Sequence, residues 1–429
     1  MLRHPARADI IAAESLAPLS DASATETQAS GAHASSREPV WTMRGTAAYR
    51  RISIALFLAG FATFSLLYCV QPLLPTLALE YRVSPAESSL VLSLSTGFLA
   101  VSIMASALVS EAFGRRGLIF MSMCAAAALN MTDAIAPNWT LLLISRALEG
   151  LVLGGAPAVA MAYLAEEIDP KSLGFAMGLY VAGTAFGGMA GRVAIGLLTE
   201  ITSWRMALGI LGFIDLLAAL GFLVLLPTSR NFVARPGINV RYHIDAWLTH
   251  LRAPGLRFLF LIGFAVMGAF VTIYNYASFR LSAAPYNLGE TAISFIFIVY
   301  IFGIVASSLA GALADRLGRR PVLISGICLT IAGVALTLAQ SLPAIVTGVA
   351  AVTFGFFVAH SVASGWVGRR AAGAKGHASS LYLLAYYVGS SAMGSLGGWF
   401  WSAGGWPAVT GFTSVLLVIA LIAALRIGR

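Results

Sequence analysis

The chain has 429 residues, of which 59% are hydrophobic and only 10% charged, with a formal net charge of +9. A water-soluble domain carries roughly a quarter charged residues and about half apolar ones, so a composition this apolar needs lipid as its solvent. The basic residues sit in short clusters between apolar runs rather than in one stripe, which argues against a nucleic-acid surface. Cys69, Cys124 and Cys328 all lie inside apolar runs without CxxC spacing, so they read as packing residues, not as a disulfide framework or zinc site.

Residues 1–45 are polar, small and aperiodic, as in Asp21–Ser30, and read as a disordered tail. Arg3, His4 and Arg7 would suit the start of a signal peptide, but no unbroken apolar stretch follows, which leaves the first long apolar run as the insertion signal. Twelve runs are then long enough to cross roughly 30 Å of hydrocarbon as helices. They cover 52–78, 87–109, 118–136, 140–164, 172–198, 206–226, 257–279, 291–313, 321–340, 343–366, 377–401 and 407–426. Lipid leaves no backbone group unpaired and strand-like alternation is missing, so the predicted class is an all-α membrane protein with 12 transmembrane helices. With the N-terminus inside, nineteen Lys and Arg from Arg44 onward fall on the inner side against Arg82, Arg205 and Arg280 outside, so both termini are expected in the cytoplasm. The basic stretch 227–256, with three prolines, is the longest internal connection. It reads as a cytoplasmic linker between a bundle over 46–226 and a second over 257–429.

The halves repeat. After the eighth run the chain reads Gly311-Ala-Leu-Ala-Asp315-Arg316-Leu-Gly318-Arg319-Arg320, and after the second Ala107-Leu-Val-Ser-Glu111-Ala-Phe-Gly114-Arg115-Arg116. Ala107 or Gly311 allows close helix approach, Glu111 or Asp315 can accept from arginine, Gly114 or Gly318 permits a tight turn, and the arginines anchor to headgroups. Such a segment reads as a latch, against the plainer reading of a basic inner loop. Glu166 and Glu167, closing the fourth run, are candidate partners for its arginines, or else a solvated helix end.

The Gly311–Arg320 stretch resembles the signature loop of the major facilitator superfamily, and the first copy resembles it with Ala107 for glycine and Glu111 for aspartate. The likeness covers essentially residues 50–426 and is greatest to bacterial inner-membrane exporters of the drug/proton antiporter-like branch. In the fourth run, Arg146 followed by Gly150 is similar to that family's motif, in which the arginine is implicated in proton coupling. The double proline of Tyr68-Cys-Val-Gln71-Pro72-Leu-Leu-Pro75 resembles that branch's first helix. The fifth run, Gly183-Thr-Ala-Phe-Gly187-Gly188-Met-Ala-Gly191-Arg192, matches imperfectly: Gly188 stands where the antiporter motif has proline, and Arg192 where it has glycine. The resemblance implies two pseudo-symmetric six-helix bundles and proton-coupled secondary transport by alternating access. It implies export of a small organic or drug-like solute. An uptake symporter is the alternative, and a non-transporting membrane sensor a further one.

Charges within spans are costly and are functional candidates. Arg146 and Glu149, three residues apart, form either a proton switch or a structural pair. Asp215, amid Gly212–Leu216, and His360 are further proton-coupling candidates, with a cavity-facing carboxylate and a histidine bonded to serine or a backbone carbonyl as the plain alternatives. Arg192 near the outer end of its run either snorkels or contacts an anion. Together with Arg192, the amphipathic Tyr68, Gln71, Tyr274, Asn275, Tyr276, Tyr386 and Tyr387 are substrate-cavity candidates, against the alternative of an interfacial aromatic belt. No GxxxxGK[ST], HExxH or GxSxG motif and no metal-spaced cluster occurs. No catalytic activity, nucleotide, cofactor or metal is therefore expected. The expected partners are a small-molecule substrate, protons and the bilayer, for a monomer that binds no nucleic acid.

Overall fold

The computed structural model describes residues 40–232 and 240–428, without the side chains of 107–113, 158 and 240. Most of the expected tail, the middle of the linker and the side chains of Ala107 and Glu111 thus lie outside the described residues. Ten of the described helices are long and apolar enough to cross a membrane. The last of these, Lys375–Arg426, is two spans joined at Gly404 and Gly405, whose backbones are non-helical. The fourth crossing is made by two shorter helices, Trp139–Leu153 and Pro157–Glu167, with Pro157 opening the second. Twelve crossings result, as the apolar runs predict.

The seventh span, Pro254–Ser282, and the first, Ala47–Tyr68, are the most enclosed, with 78% and 67% of their apolar windows buried, whereas the sixth, Trp204–Leu225, has only 33%. Spans one and seven are therefore central, and the sixth turns large apolar residues such as Phe213, Leu217 and Val224 outward, where lipid would meet them.

Pseudo-symmetry holds in atomic detail. A Cβ added at Gly187 of the fifth span (Pro170–Ile201) would lie 2.1 Å from the Phe61 carbonyl oxygen of span one. One added at Gly389 of the eleventh span would lie 2.1 Å from the Phe264 oxygen of span seven. Any larger residue would push these helices apart. Gly114 and Gly318 both take φ in the left-handed region, 82° and 88°, with ψ at 153° in each. A residue with a Cβ is strained there.

The first span stops at Tyr68, and a short helix, Leu74–Tyr81, resumes beyond it. Pro72 has no N–H to continue the ladder, and the Gln71 and Leu73 amides bond three residues back, to Tyr68 and Val70. The break falls beside both of the buried arginines described below.

The halves meet on the side opposite the described chain ends. Ser391 Oγ donates to the Ser93 carbonyl at 2.7 Å, Ser395 and Ser93 hydroxyls lie 2.8 Å apart, and Gly196 of span five packs against Ser294 at the start of span eight (Glu290–Leu317). Toward the chain ends the same four helices part: Val101, Val181, Val305 and Val388 are exposed, and Gly174, Gly178 and Gly311 face open space. The cleft between the halves is thus closed at one end and open at the other.

Candidate functional site

Arg146 is the hub of the first half. Its side chain and those of its two acidic neighbours have no exposure to solvent. Nε donates to the Val91 carbonyl of span two at 3.1 Å and Nη2 to the Leu67 carbonyl of span one at 3.0 Å. Nη1 pairs with Glu149 on its own helix and reaches Asp133 of the third span (Arg115–Ala134) at 3.5 Å. Because Gln71 N–H turns back to Tyr68, the Leu67 carbonyl is released at the broken end of span one, and a cation there meets the negative end of the helix. One guanidinium therefore ties four spans together. Two carboxylates share it, and one oxygen of each, Asp133 Oδ1 and Glu149 Oε1, has no hydrogen-bond partner.

Arg192 also lies buried, at 1% exposure, rather than reaching to the membrane surface as its place near a span end suggested. Span five extends to Ile201, so Arg192 is too deep to snorkel. Its Nε donates to Gln71 Oε1 at 2.7 Å and its Nη1 to the Gly188 carbonyl at 2.6 Å. The guanidinium carbon sits 4.3 Å from the Tyr68 ring centre and 4.9 and 4.8 Å from those of Phe297 and Tyr300 across the cleft. Gln71 Nε2 donates in turn to Asn275 Oδ1 at 2.7 Å. Gln71 and Asn275 are 204 positions apart, the offset that also relates Arg116 to Arg320, so they are equivalents meeting at the pseudo-twofold axis. This layer forms the blind end of the cleft.

The remaining candidates scatter. Asp215 is fully buried in span six, beside Ser65 of span one. His360 Nδ1 lies 3.0 Å from the Tyr382 hydroxyl, not beside a serine or carbonyl, and the ring packs against Tyr386 at 4.7 Å and parallel to Phe356. Tyr386 is half-buried, whereas Tyr387 is buried edge-on against it. Tyr274 bonds Thr353 at 2.6 Å and stacks on Phe297; Tyr276 donates to the Gly394 carbonyl at 2.9 Å and fastens span seven to span eleven. Asp133, Phe297 and Tyr300 belong to these clusters but were passed over in the sequence. Asp133 could have been found as an acid inside the third apolar run, one short hairpin away from Arg146.

In the two signature copies, Arg115 pairs with Glu166 at 2.7 Å, while Glu167 accepts from Ser229 Oγ and the Arg230 and Asn231 amides. Asp315 pairs with Arg319 and Arg369 at 3.5 and 3.7 Å. Arg116 donates to the Leu223 carbonyl at 2.6 Å and Arg320 to the Leu425 carbonyl, so each caps the last span of its own half instead of pointing to headgroups. Among the described residues, none of these ion pairs crosses the cleft.

Twelve spans in two repeats, with charge buried beside a one-ended cleft between them, are the architecture of a membrane transporter. The chain belongs to the Major Facilitator Superfamily, whose family model matches residues 56–285 and 281–429. It is 45% identical over 378 residues to an uncharacterized MFS-type transporter, YybF, of Bacillus subtilis, covering 88% of this chain and 93% of that one. It is 42% identical to the inner membrane transport protein YnfM of Escherichia coli, covering 90% and 92%. Among solved structures, a bacterial homolog of the human lysosomal transporter Spinster, inward-facing and unoccupied, superposes with a TM-score of 0.70 at 14% identity over 88% of this chain and 96% of that one. The protein is accordingly a multi-pass membrane transporter.

Proposed function

We propose that this transporter is proton-coupled and exports a small organic solute, as in the drug/proton antiporter-like branch, from an inner-membrane position with both termini in the cytoplasm. The reading is carried by the Arg146 cluster, in which one buried cation serves two carboxylates. With all three groups ionised the cluster has a surplus negative charge in a low-dielectric setting, which a proton removes. Because Arg146 also holds the carbonyls at the break in span one, proton arrival at Glu149 or Asp133 loosens the same helix that carries Tyr68 and Gln71 to the blind end of the cleft. Proton and solute then act on one mobile element. Asp215 is a second proton-carrying candidate, buried in span six beside Ser65 of span one. His360, bonded to Tyr382 and parallel to Phe356, is a third candidate.

On this orientation the cleft opens inward. The signature segments, apart here, would latch the halves when the cleft opens outward, through Asp315, Arg319 and their first-half counterparts. The bundles 46–226 and 257–429 rock about the Gln71–Asn275 contact, with 227–256 as tether. The test is a resistance screen in a strain overexpressing the chain, followed by uptake of the compound found into everted vesicles under an imposed pH gradient. Accumulation driven by interior acid and lost in Arg146→Ala is expected. Accumulation driven in the opposite sense would make the protein an uptake symporter, and none under any gradient a sensor.

A further inference from the structure

The buried charges of the first half are unevenly matched. Arg146 has two carboxylates, whereas Arg192 makes no ion pair among the described residues. A guanidinium withdrawn from water without a counter-charge is strongly disfavoured, and its neighbours only partly offset this: the Gln71 and Gly188 oxygens, the Tyr300 hydroxyl and three ring faces, all neutral. Gln71 and Gly188 fix the direction of the side chain. They leave its positive charge at the one level where the cleft stops, facing Phe297 and Tyr300 of the other half.

A second observation points the same way. Asn275, bonded to Gln71 through its oxygen, keeps a buried Nδ2 with no acceptor. An unmatched cation and an unmatched N–H donor are thus joined through one glutamine. One anionic acceptor would serve both. The pseudo-symmetric place of Arg192, five residues beyond Gly389 as Arg192 is beyond Gly187, holds Gly394, so the charge belongs to one half only.

From this layer a ladder of buried rings runs through the second half, Phe297, Tyr274, Phe270 and Phe356 each at most 3% exposed. Phe297 stacks on Tyr274 at 5.0 Å, Tyr274 meets Phe270 at 4.9 Å, Phe270 stacks on Phe356 at 3.8 Å, and Phe356 lies parallel to His360. Half-buried Tyr386 borders its lower end. We infer that Arg192 is the counter-ion for an organic monoanion, the carboxylate or similar head meeting Arg192 and the body lying in the cleft toward half-buried Tyr386. The inference rests on the transporter reading and names its substrate class. It also completes the charge balance: the surplus negative charge near Arg146 takes a proton, and the surplus positive charge at Arg192 takes an anion.

The purified full chain in lipid nanodiscs is titrated with 2-naphthoate, its neutral isostere 2-naphthamide, and 2-naphthylmethylammonium, with tryptophan fluorescence as readout. Wild type is expected to bind the anion about tenfold or more tightly over either analogue. Arg192→Gln should erase that preference and Arg192→Lys retain part of it. Equal binding of all three by wild type, no binding of the anion, or full anion preference in Arg192→Gln would overturn the assignment and leave Arg192 a packing contact. Should Arg192→Gln not fold, the wild-type selectivity and Arg192→Lys decide. The vesicle experiment separates the two levels. Gradient-driven transport without anion preference sinks the substrate class and leaves the transporter; anion preference without transport under any gradient sinks the transporter reading and leaves the anion site.

Discussion

Two arginines lie buried in the same bundle, and they are held in opposite ways. Arg146 has acids on two helices and backbone carbonyls on two more, all within the first half. Arg192 has only neutral oxygens and rings, and two of those rings belong to the other half. Arg146 is over-supplied with negative charge and fixed among spans of one half. Arg192 is under-supplied and sits where the two halves touch. The first arrangement suits an internal event, protonation, and the second suits a visiting group that changes how the halves meet.

The comparison can be broken most decisively at Arg146. Replacing it by Ala strands two buried carboxylates and frees the Leu67 carbonyl, with an expected stability loss of about 3–5 kcal/mol. Thermal unfolding of the purified variant checks this, and adding Glu149→Gln and Asp133→Asn to it should recover part of the loss. A packing defect alone would give no such recovery. Arg192→Gln removes a charge with no acid to strand, so its unfolding temperature should move far less than that of Arg146→Ala. A comparable loss at both sites would erase the distinction.

Glu149→Gln keeps size and hydrogen bonding but abolishes the titration. It should fold as wild type and lose pH-gradient-driven transport about tenfold or more. Transport unchanged in Glu149→Gln but lost in Asp133→Asn would move the proton to the third span. A smaller effect is expected at the repeat. Gly114→Ala and Gly318→Ala each force a Cβ into the left-handed region, at about 1–2 kcal/mol per site. Arg116→Ala and Arg320→Ala each remove one charged helix cap, worth about 0.3–1 kcal/mol. Paired melting curves should show each half responding alike, and a loss confined to one half would weaken the pseudo-symmetry.

Apolar run length was enough to read the twelve crossings, because lipid enforces helices and their minimum length. The signature repeat was equally legible, since Gly114 and Gly318 owe their identity to a backbone angle that only local sequence determines. The helix breaks were half legible. Pro72 and Pro157 marked them, but a proline does not say whether a span bends or stops. The sites were harder. Glu149 lies one turn from Arg146, so the pair shows in sequence, whereas Asp133 joins it only by folding of the third span against the fourth. Arg192 could be seen as a charge in a span but not as a residue enclosed by Tyr68, Phe297 and Tyr300, which come from two other spans in both halves. Likewise Tyr276 looked like a cavity wall and proves to bind a glycine carbonyl, a partner that sequence spacing does not reveal.

On the proposed mechanism, proton movement at the Arg146 cluster drives solute movement through the cleft. It is tested most directly in proteoliposomes carrying an internal pH dye, with proton and solute fluxes recorded together for wild type, Glu149→Gln and Asp133→Asn. Coupled fluxes in wild type, with solute exchange persisting but proton movement gone in Glu149→Gln, are predicted. Proton movement undiminished in Glu149→Gln and in Asp133→Asn alike, or solute accumulation that ignores the pH gradient in wild type, would overturn this mechanism.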